Sequence, residues 1–455
     1  MATSSTTRTI EDEYYARFAG SAALYSRSRQ AIAGGISHDS RHLEPFPPYI
    51  ERAIGARKWD VDGHELIDYA MGHGALILGH AHPEVTHAAT SAAQHGTHFG
   101  AGHLDEVRWA EQVQRLIPSA ELVRFTSSGT EATMMALRLA AIHTDRPRFI
   151  RFVGHFHGWH EGAAGGHTPP LEVPAPGLPD SVRSRVELVP AEAGAVEEAL
   201  KRDPTIGAII VEPSGGSYGA APLPVGFLSA LRTLADRYAA VLIFDEVVTG
   251  FRWSPGGIQA LCGITPDLTT LAKILAGGFP GGAVAGRAEI MHHLEFRADT
   301  SWNTSRKMYH PGTFNANPMV AAAGSTCLEI VASGEVQKIA TSRAELLRSL
   351  LRETVSKLDA PCLVYGESSI VHILPGIKTV SEIADVPVAT LKGTGAPGVL
   401  RMLRLALLQE GVDFFGRSAF VSATHSEEDI RYTAAAFGRA VARVQAEGRW
   451  SVQQI

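Results

Sequence analysis

Three short stretches of this chain carry residue types that could do chemistry together. Lys273, one of only eight lysines, follows the apolar run Leu268-Thr-Thr-Leu-Ala272 and precedes the glycine-rich Ala276-Gly-Gly-Phe-Pro-Gly-Gly-Ala283. Asp245 ends a stronger apolar run, Ala240-Val-Leu-Ile-Phe244. Farther upstream, Thr126-Ser-Ser-Gly-Thr-Glu131 stands between an apolar stretch and a helix-like one. An amine in an apolar, glycine-lined setting can have its pKa lowered and attack an aldehyde. A carboxylate at a strand end can keep a ring nitrogen protonated. A helix start offers free N–H groups and a positive dipole end to a dianion, and Gly129 lets the backbone approach closely.

Each signal also has a plain structural meaning. Ser127–Thr130 can simply cap a helix, with Glu131 early in its first turn. Asp245 can be a turn residue after a strand. Lys273, followed by Ile274-Leu275, can be a surface lysine on a helix. The conjunction favours chemistry, because each handle falls at a strand end of one predicted sheet, the edge where open parallel sheets bind ligands. Amine, carboxylate and phosphate cradle match the aldehyde, ring nitrogen and phosphate of pyridoxal phosphate.

The elements that must position them are legible from periodicity. Residues 11–31 read as a helix ended by Gly34-Gly35, and 49–69 as a small antiparallel piece. Amphipathic helices follow near 83–95 and 105–117. From about 120 the pattern alternates strand and helix: a strand at 122–125, a helix at 130–142 with an apolar face of Met134, Leu137 and Ala141, and a strand at 149–153. Ala208–Val211 and Val241–Phe244 are continuous apolar runs, as parallel strands covered on both faces require. Phe227–Tyr238 is the crossover helix between them. A long helical stretch at 318–355, strands at 363–365 and 370–374, a helix near 396–410, a strand pair near 412–423 and a final helix at 426–447 complete the chain. This is an α/β pattern with a mostly parallel sheet. The expected organisation is an N-terminal segment (1–70) contributing to a small α+β domain, a large domain (71–330) and a C-terminal small domain (331–455).

Composition narrows the setting. The 45% hydrophobic and 19% charged content is that of an ordinary globular protein. A net charge of −6 with no basic block argues against a nucleic-acid or anionic-membrane partner. Cys262, Cys327 and Cys362 fit neither a disulfide framework nor a zinc spacing. The polar Met1–Arg8 and the lack of a membrane-length apolar run predict a cytoplasmic enzyme.

Longer motifs carry a resemblance. Phe125-TSSGTEATMMALRLA, Ile209-IVEP, Phe244-DEVVTGFR, Pro266-DLTTLAKILAGGFPGGAVAGR and Gly312-TFNANP resemble the class III aminotransferases, a family of fold-type-I pyridoxal-phosphate enzymes. The likeness runs from Gly34-Gly35 to Glu428-Asp429-Ile430. It is nearest the branch of glutamate-1-semialdehyde aminomutase and the β-amino-acid aminotransferases. The resemblance implies that Lys273 holds the cofactor covalently and moves the proton, and that Asp245 pairs with the ring nitrogen. It implies that Ser128, Gly129 and Thr130 hold the phosphate, and that Val247 packs on one ring face. Phe156 falls where the family usually has a stacking tyrosine, so any hydroxyl role is lost. His157 and Glu212 fall among the implied cofactor contacts. Thr313 would reach the phosphate of a neighbouring subunit's cofactor, making the active unit a homodimer or larger.

Two arginines would bind substrate carboxylates, since an arginine fork suits a carboxylate bidentately. Arg41 ends Gly34-GISHDSR, which is similar to the aminomutase segment with a carboxylate-binding arginine. Arg417, in Phe415-Gly-Arg-Ser418, resembles one in the β-amino-acid aminotransferases; the plain alternative for each is a surface or structural ion pair. There are departures. Trp159–Pro170 does not match the aminomutase gating loop, Ser217 stands where that group places an asparagine, and Trp159 and His160 suggest a reshaped pocket, with Trp159 on the substrate side. The expected activity is a ping-pong aminotransferase acting on a β-amino acid or related amine and a keto acid. The alternatives are glutamate-1-semialdehyde 2,1-aminomutase and, outside catalysis, an idle binding or regulatory protein of the same fold.

Overall fold

The apolar runs around the three chemical stretches form one seven-stranded sheet in the computed structural model, which describes residues 8–377, 380, 383, 386–396 and 398–452. Across the sheet the order is Leu122–Thr126, Gly282–Gly286, Leu268–Ala272, Val241–Asp245, Ile206–Val211, Arg148–Phe152 and Val186–Val189. The last five run parallel. Every residue of Val241–Asp245 and Leu268–Ala272 is buried, because the sheet is covered on both sides. Ile210, Val241, Ile243 and Leu268 pack against the helix Gly129–Thr144 on one face. Ile209, Val211, Leu242 and Phe244 pack against Ala193–Arg202 and Phe227–Arg237 on the other. Each such side chain contributes roughly 1.5–3 kcal/mol when fully buried.

Gly282–Gly286 runs antiparallel to both neighbours, with Gly282 opposite Thr126 and Ala272. A glycine-rich stretch reads as turn, so periodicity gave no strand there. The glycine at 282 has a steric cause: a Cβ would lie 2.4 Å from the Ser128 carbonyl. The helix expected at 130–142 is present and buries the expected Leu137, together with Ala132, Met135, Ala136, Leu139 and Ala140, while Met134 is exposed. The stripe turned to the sheet is the one that carries Met135 and Leu139, one residue on from Met134.

The N-terminal helix is two, Ile10–Arg17 and Ala19–Ala31, broken at Phe18. Strands Ile50–Ile54, Arg57–Asp60 and Glu65–Asp68 form the antiparallel piece, and Val412–Asp413 adds to it in parallel. The strands expected to pair near 412–423 therefore do not pair with each other. Ser418–Phe420 joins Ile370–Pro375, which in turn pairs with Cys362–Tyr365. Each strand instead finds a longer partner, and only an isolated antiparallel bridge, Phe415 to Ser418, forms in the turn between them. A buried charge cluster pins the first junction: Lys58 Nζ donates to Asp68 at 2.7 Å and to Asp413. The long helical stretch divides into Pro318–Val331 and Glu335–Lys357, bent by 72° where Gly334 takes a positive φ of 80°. Among the described residues no single helix is long and apolar enough to cross a membrane.

Candidate active site

Two adjacent parallel strands end in Asp245 and Lys273, and the loops beyond them wall a cavity of about 630 Å³. Lys273 follows Ala272 at the carboxyl end of its strand and takes a left-handed φ of 54°, a strained conformation for a long side chain. Burial pushes its amine below the ordinary lysine range, with Asp245 and Glu212 pulling it back up. A lysine so placed reaches its neutral, nucleophilic form more readily.

Asp245 is held from three sides. The Thr270 hydroxyl and the Val247 N–H donate to Oδ1, each at 3.1 Å. His157 Nδ1 lies 2.7 Å from Oδ2. A carboxylate only accepts, so that nitrogen carries the proton. His157 is placed in turn by Thr133, whose hydroxyl donates to its carbonyl at 2.6 Å. The neighbouring Glu246 does not face the cavity. Its carboxylate accepts from Thr249, Ile258 and Gln259, all in the protein interior.

The cradle is the N-terminus of the sixteen-residue helix Gly129–Thr144. Ser128 Oγ caps it by accepting from the Glu131 N–H, and Glu131 accepts from the Ser127 N–H at 2.6 Å. The capping role and the cradle therefore coexist: the Ser128 hydroxyl is engaged, while the N–H groups of Gly129 and Thr130 stay open beside the cavity. A Cβ on residue 129 would lie 3.0 Å from both Val247 methyls. Gly158, with a φ of 96°, closes over Thr130, since a Cβ there would lie 2.7 Å from its hydroxyl.

Glu212 lines the cavity, and both its carboxylate oxygens are engaged by backbone donors. Its Oε1 accepts from the N–H groups of Phe156 and Ser217, each at 2.7 Å, and Oε2 from Tyr218 at 2.8 Å. Ser217 and Tyr218 both have positive φ, 49° and 52°. The buried carboxylate thus braces a strained turn and the Phe156 loop together; burial raises its pKa.

Ser128, Gly129, Thr130, Phe156, His157, Trp159, Glu212, Asp245, Val247 and Lys273 all line the one cavity. Trp159 is 82% exposed and also borders a second cavity along the outside of the 129–144 helix. Three expected residues are not on the cavity wall. Arg41 lines an adjoining cavity that shares His73 and Phe415 with it, and donates to Ser37 Oγ at 2.8 Å. Arg417 donates to the Leu391 carbonyl. Thr313 is exposed on the surface. Sequence reasoning missed His38 and His73, which face the cavity with rings 4.7 Å apart, and Tyr218 and Lys392. His73 has a φ of 58° beside glycines, a position where a histidine is unusual and could have been noticed. Lys392 carries no local signal.

This arrangement fits pyridoxal phosphate: a helix N-terminus that only glycine leaves open, a triply held carboxylate and an enclosed amine surround one space. The family described as Aminotransferase class-III matches residues 39–367. A glutamate-1-semialdehyde 2,1-aminomutase of Methanopyrus kandleri is 38% identical over 440 residues, covering 95% of this chain and 99% of the relative. A solved transaminase with PLP bound is 30% identical, covers 95% of this chain and 99% of its own, and has a TM-score of 0.85. A β-phenylalanine aminotransferase from Variovorax paradoxus is 29% identical, covers 96% and 97%, and has a TM-score of 0.81.

Proposed function

The chain belongs to the aminotransferase class-III family and is a pyridoxal-phosphate-dependent enzyme of fold type I, and on that premise we propose that it moves an amino group on small carboxylate-bearing substrates, with glutamate-1-semialdehyde 2,1-aminomutase as the favoured reaction. The observation that carries this reading is the near full-length likeness to aminomutases, together with Arg41 standing beside the cavity. The order of the two enzymatic readings thus reverses the one that the motifs alone suggested.

When bound, the cofactor supplies an electron sink for the pair left on the substrate carbon as a C–H bond breaks. Lys273 would hold the aldehyde end and, once released, would take the proton from the substrate carbon and return it. Asp245, fixed by His157, Thr270 and Val247, holds the positive charge of the ring nitrogen. The N–H groups of Gly129 and Thr130, with Ser128 as the cap, hold the phosphate. Phe156 and Val247 flank the ring, and Glu212 braces the wall. Thr313 serves the site of a second copy, so the working unit is a homodimer or larger. Arg41, in the adjoining cavity, and Arg417 are the residues that meet substrate carboxylates in this reading, and Trp159 shapes the outer rim. The division at about residues 70 and 330 and a cytoplasmic setting without nucleic-acid partners belong to the same reading.

Transamination of a β-amino acid or related amine is the second reading, supported by the likeness to the β-phenylalanine aminotransferase and by Ser217 and Trp159 at the cavity. Incubating the purified enzyme with glutamate-1-semialdehyde, without any keto acid, tests the first reading. Efficient formation of 5-aminolevulinate is expected. Turnover that instead requires a β-amino acid and an added keto acid establishes the second.

A further inference from the structure

The Ser217–Tyr218 turn is one wall of the cavity, and a cation stands behind it. Lys392 follows the short helix Val388–Leu391, and its Nζ donates a hydrogen bond to Ser217 Oγ. An ammonium has three donors and no acceptor. Ser217 Oγ is therefore the acceptor in that contact, and its own hydrogen points elsewhere. Ser217 lines the same cavity as Lys273 and Asp245, and its backbone is fixed by Glu212. The free hydrogen thus has the cavity as its outlet.

The surroundings sharpen this. Arg417 is bound to the carbonyl of Leu391, the residue before Lys392, so two cations meet behind the turn. Among the described residues neither has a carboxylate within ion-pair distance. Glu212 is the carboxylate whose charge acts on Lys392, and both its oxygens are occupied by backbone N–H groups. Two half-buried cations without a carboxylate partner among the described residues favour an anion nearby. Burial lowers Lys392 to about 8, with Glu212 opposing and Arg417 reinforcing the shift. His155, His167 and His372 also face it, and burial holds all three below the ordinary histidine range, His372 at about 3. Tyr218 and Tyr365, on the same side, are raised. Of these groups Lys392 is the one whose charge changes near pH 8.

We infer that Ser217, backed by Lys392, determines substrate specificity: its hydroxyl donates to a substrate carboxylate, and Lys392 supplies the charge that makes that donor selective for an anion. The inference rests on the proposed amino-group transfer. Ser217 is the contact residue, and Lys392 is a positioning residue acting through it.

The test uses the holoenzyme and four variants: Ser217→Ala, Lys392→Met, Lys392→Arg and the Ser217→Ala/Lys392→Met double variant. Two amine donors of one skeleton, 3-amino-3-phenylpropanoate and 1-phenylethylamine, are compared in single turnovers across pH 6.5–9.5, at about half-unit steps around the Lys392 value. Binding of the unreactive 3-phenylpropanoate is measured by calorimetry, which reports on the site whatever the turnover. Ser217→Ala and Lys392→Met should each lower the preference for the carboxylated donor, and weaken 3-phenylpropanoate, by about 10-fold or more at neutral pH. Their effects should not add in the double variant. Wild-type carboxylate binding should fall as pH rises through about 8. Lys392→Arg should keep the preference and remove that fall, because a guanidinium stays charged. The inference is overturned if both donors lose equally, which is what a purely structural role gives. It is equally overturned if the alkaline fall persists in Lys392→Met, or if 3-phenylpropanoate binds all five proteins alike. Turnover of neither donor by wild type, with 3-phenylpropanoate affinity still tracking the variants, would instead count against the transamination reading alone.

Discussion

His157 and Asp245, 88 residues apart in the chain, share a buried 2.7 Å hydrogen bond that turns one carboxylate oxygen toward histidine while Thr270 and Val247 hold the other. The carboxylate cannot rotate without losing three donors, so its charge has a fixed direction. That fixity, rather than the mere presence of an aspartate, is what suits it to hold a pyridinium proton.

Asp245→Asn should therefore retain the fold and bound cofactor but slow the proton-transfer step. A charged hydrogen bond is worth about 2–3 kcal/mol, which corresponds to a roughly 30- to 160-fold drop in rate. Rapid-mixing absorbance with a substrate that wild type converts measures it. An unchanged rate would remove Asp245 from the chemistry.

Gly129→Ala tests the cradle. The new Cβ would sit 3.0 Å from both methyls of Val247, closer than carbon atoms tolerate without movement. Relieving such overpacking costs about 1–2 kcal/mol, so cofactor affinity should weaken roughly 5- to 30-fold. Titration of the apoprotein with pyridoxal phosphate, followed by absorbance, reads the dissociation constant directly.

The Lys58 cluster predicts how stability responds to acid. Burial opposes ionisation of Asp68, but Lys58 and His80 overcome it and hold its carboxyl below the ordinary range. A depressed carboxyl contributes stability that is complete above its unfolded pKa, about 3.9, and is lost as pH falls through the folded value. Urea midpoints of wild type should thus decline below about pH 4, and Asp68→Asn should show less of that decline. Lys58→Met would leave Asp413 without its cation and Asp68 with His80 alone, at a cost of about 3–5 kcal/mol near neutral pH.

How much of this was legible in the sequence follows from the range of the forces involved. Asp245 and Lys273 end continuous apolar runs, and such runs are a local signal that survives without any tertiary knowledge. Ser128 and Gly129 were equally local, as a cap and a close approach. Gly282–Gly286 was not legible, because glycines at both ends mask a short Ala-Val-Ala core and its strand character comes from the two strands it pairs with. Met134 was assigned to the wrong face because helical spacing gives a period but not which stripe a flat sheet prefers. Lys392 meets Ser217 across 175 residues, and nothing in its own neighbourhood marks it. Arg41 and Arg417 matched motifs, yet their guanidinium groups are directed to Ser37 and the Leu391 carbonyl.

The central claim is that Lys273 is the amine that takes the cofactor, and covalent trapping tests it most directly. The protein is incubated with pyridoxal phosphate, reduced with borohydride, digested and mapped by mass spectrometry. The account predicts a phosphopyridoxyl adduct on the peptide containing Lys273, absent in Lys273→Ala, which should still fold but lose turnover and the visible absorption of the lysine-bound cofactor. Stoichiometric adduct on another lysine, or a Lys273→Ala protein within a few-fold of wild-type activity, would contradict it.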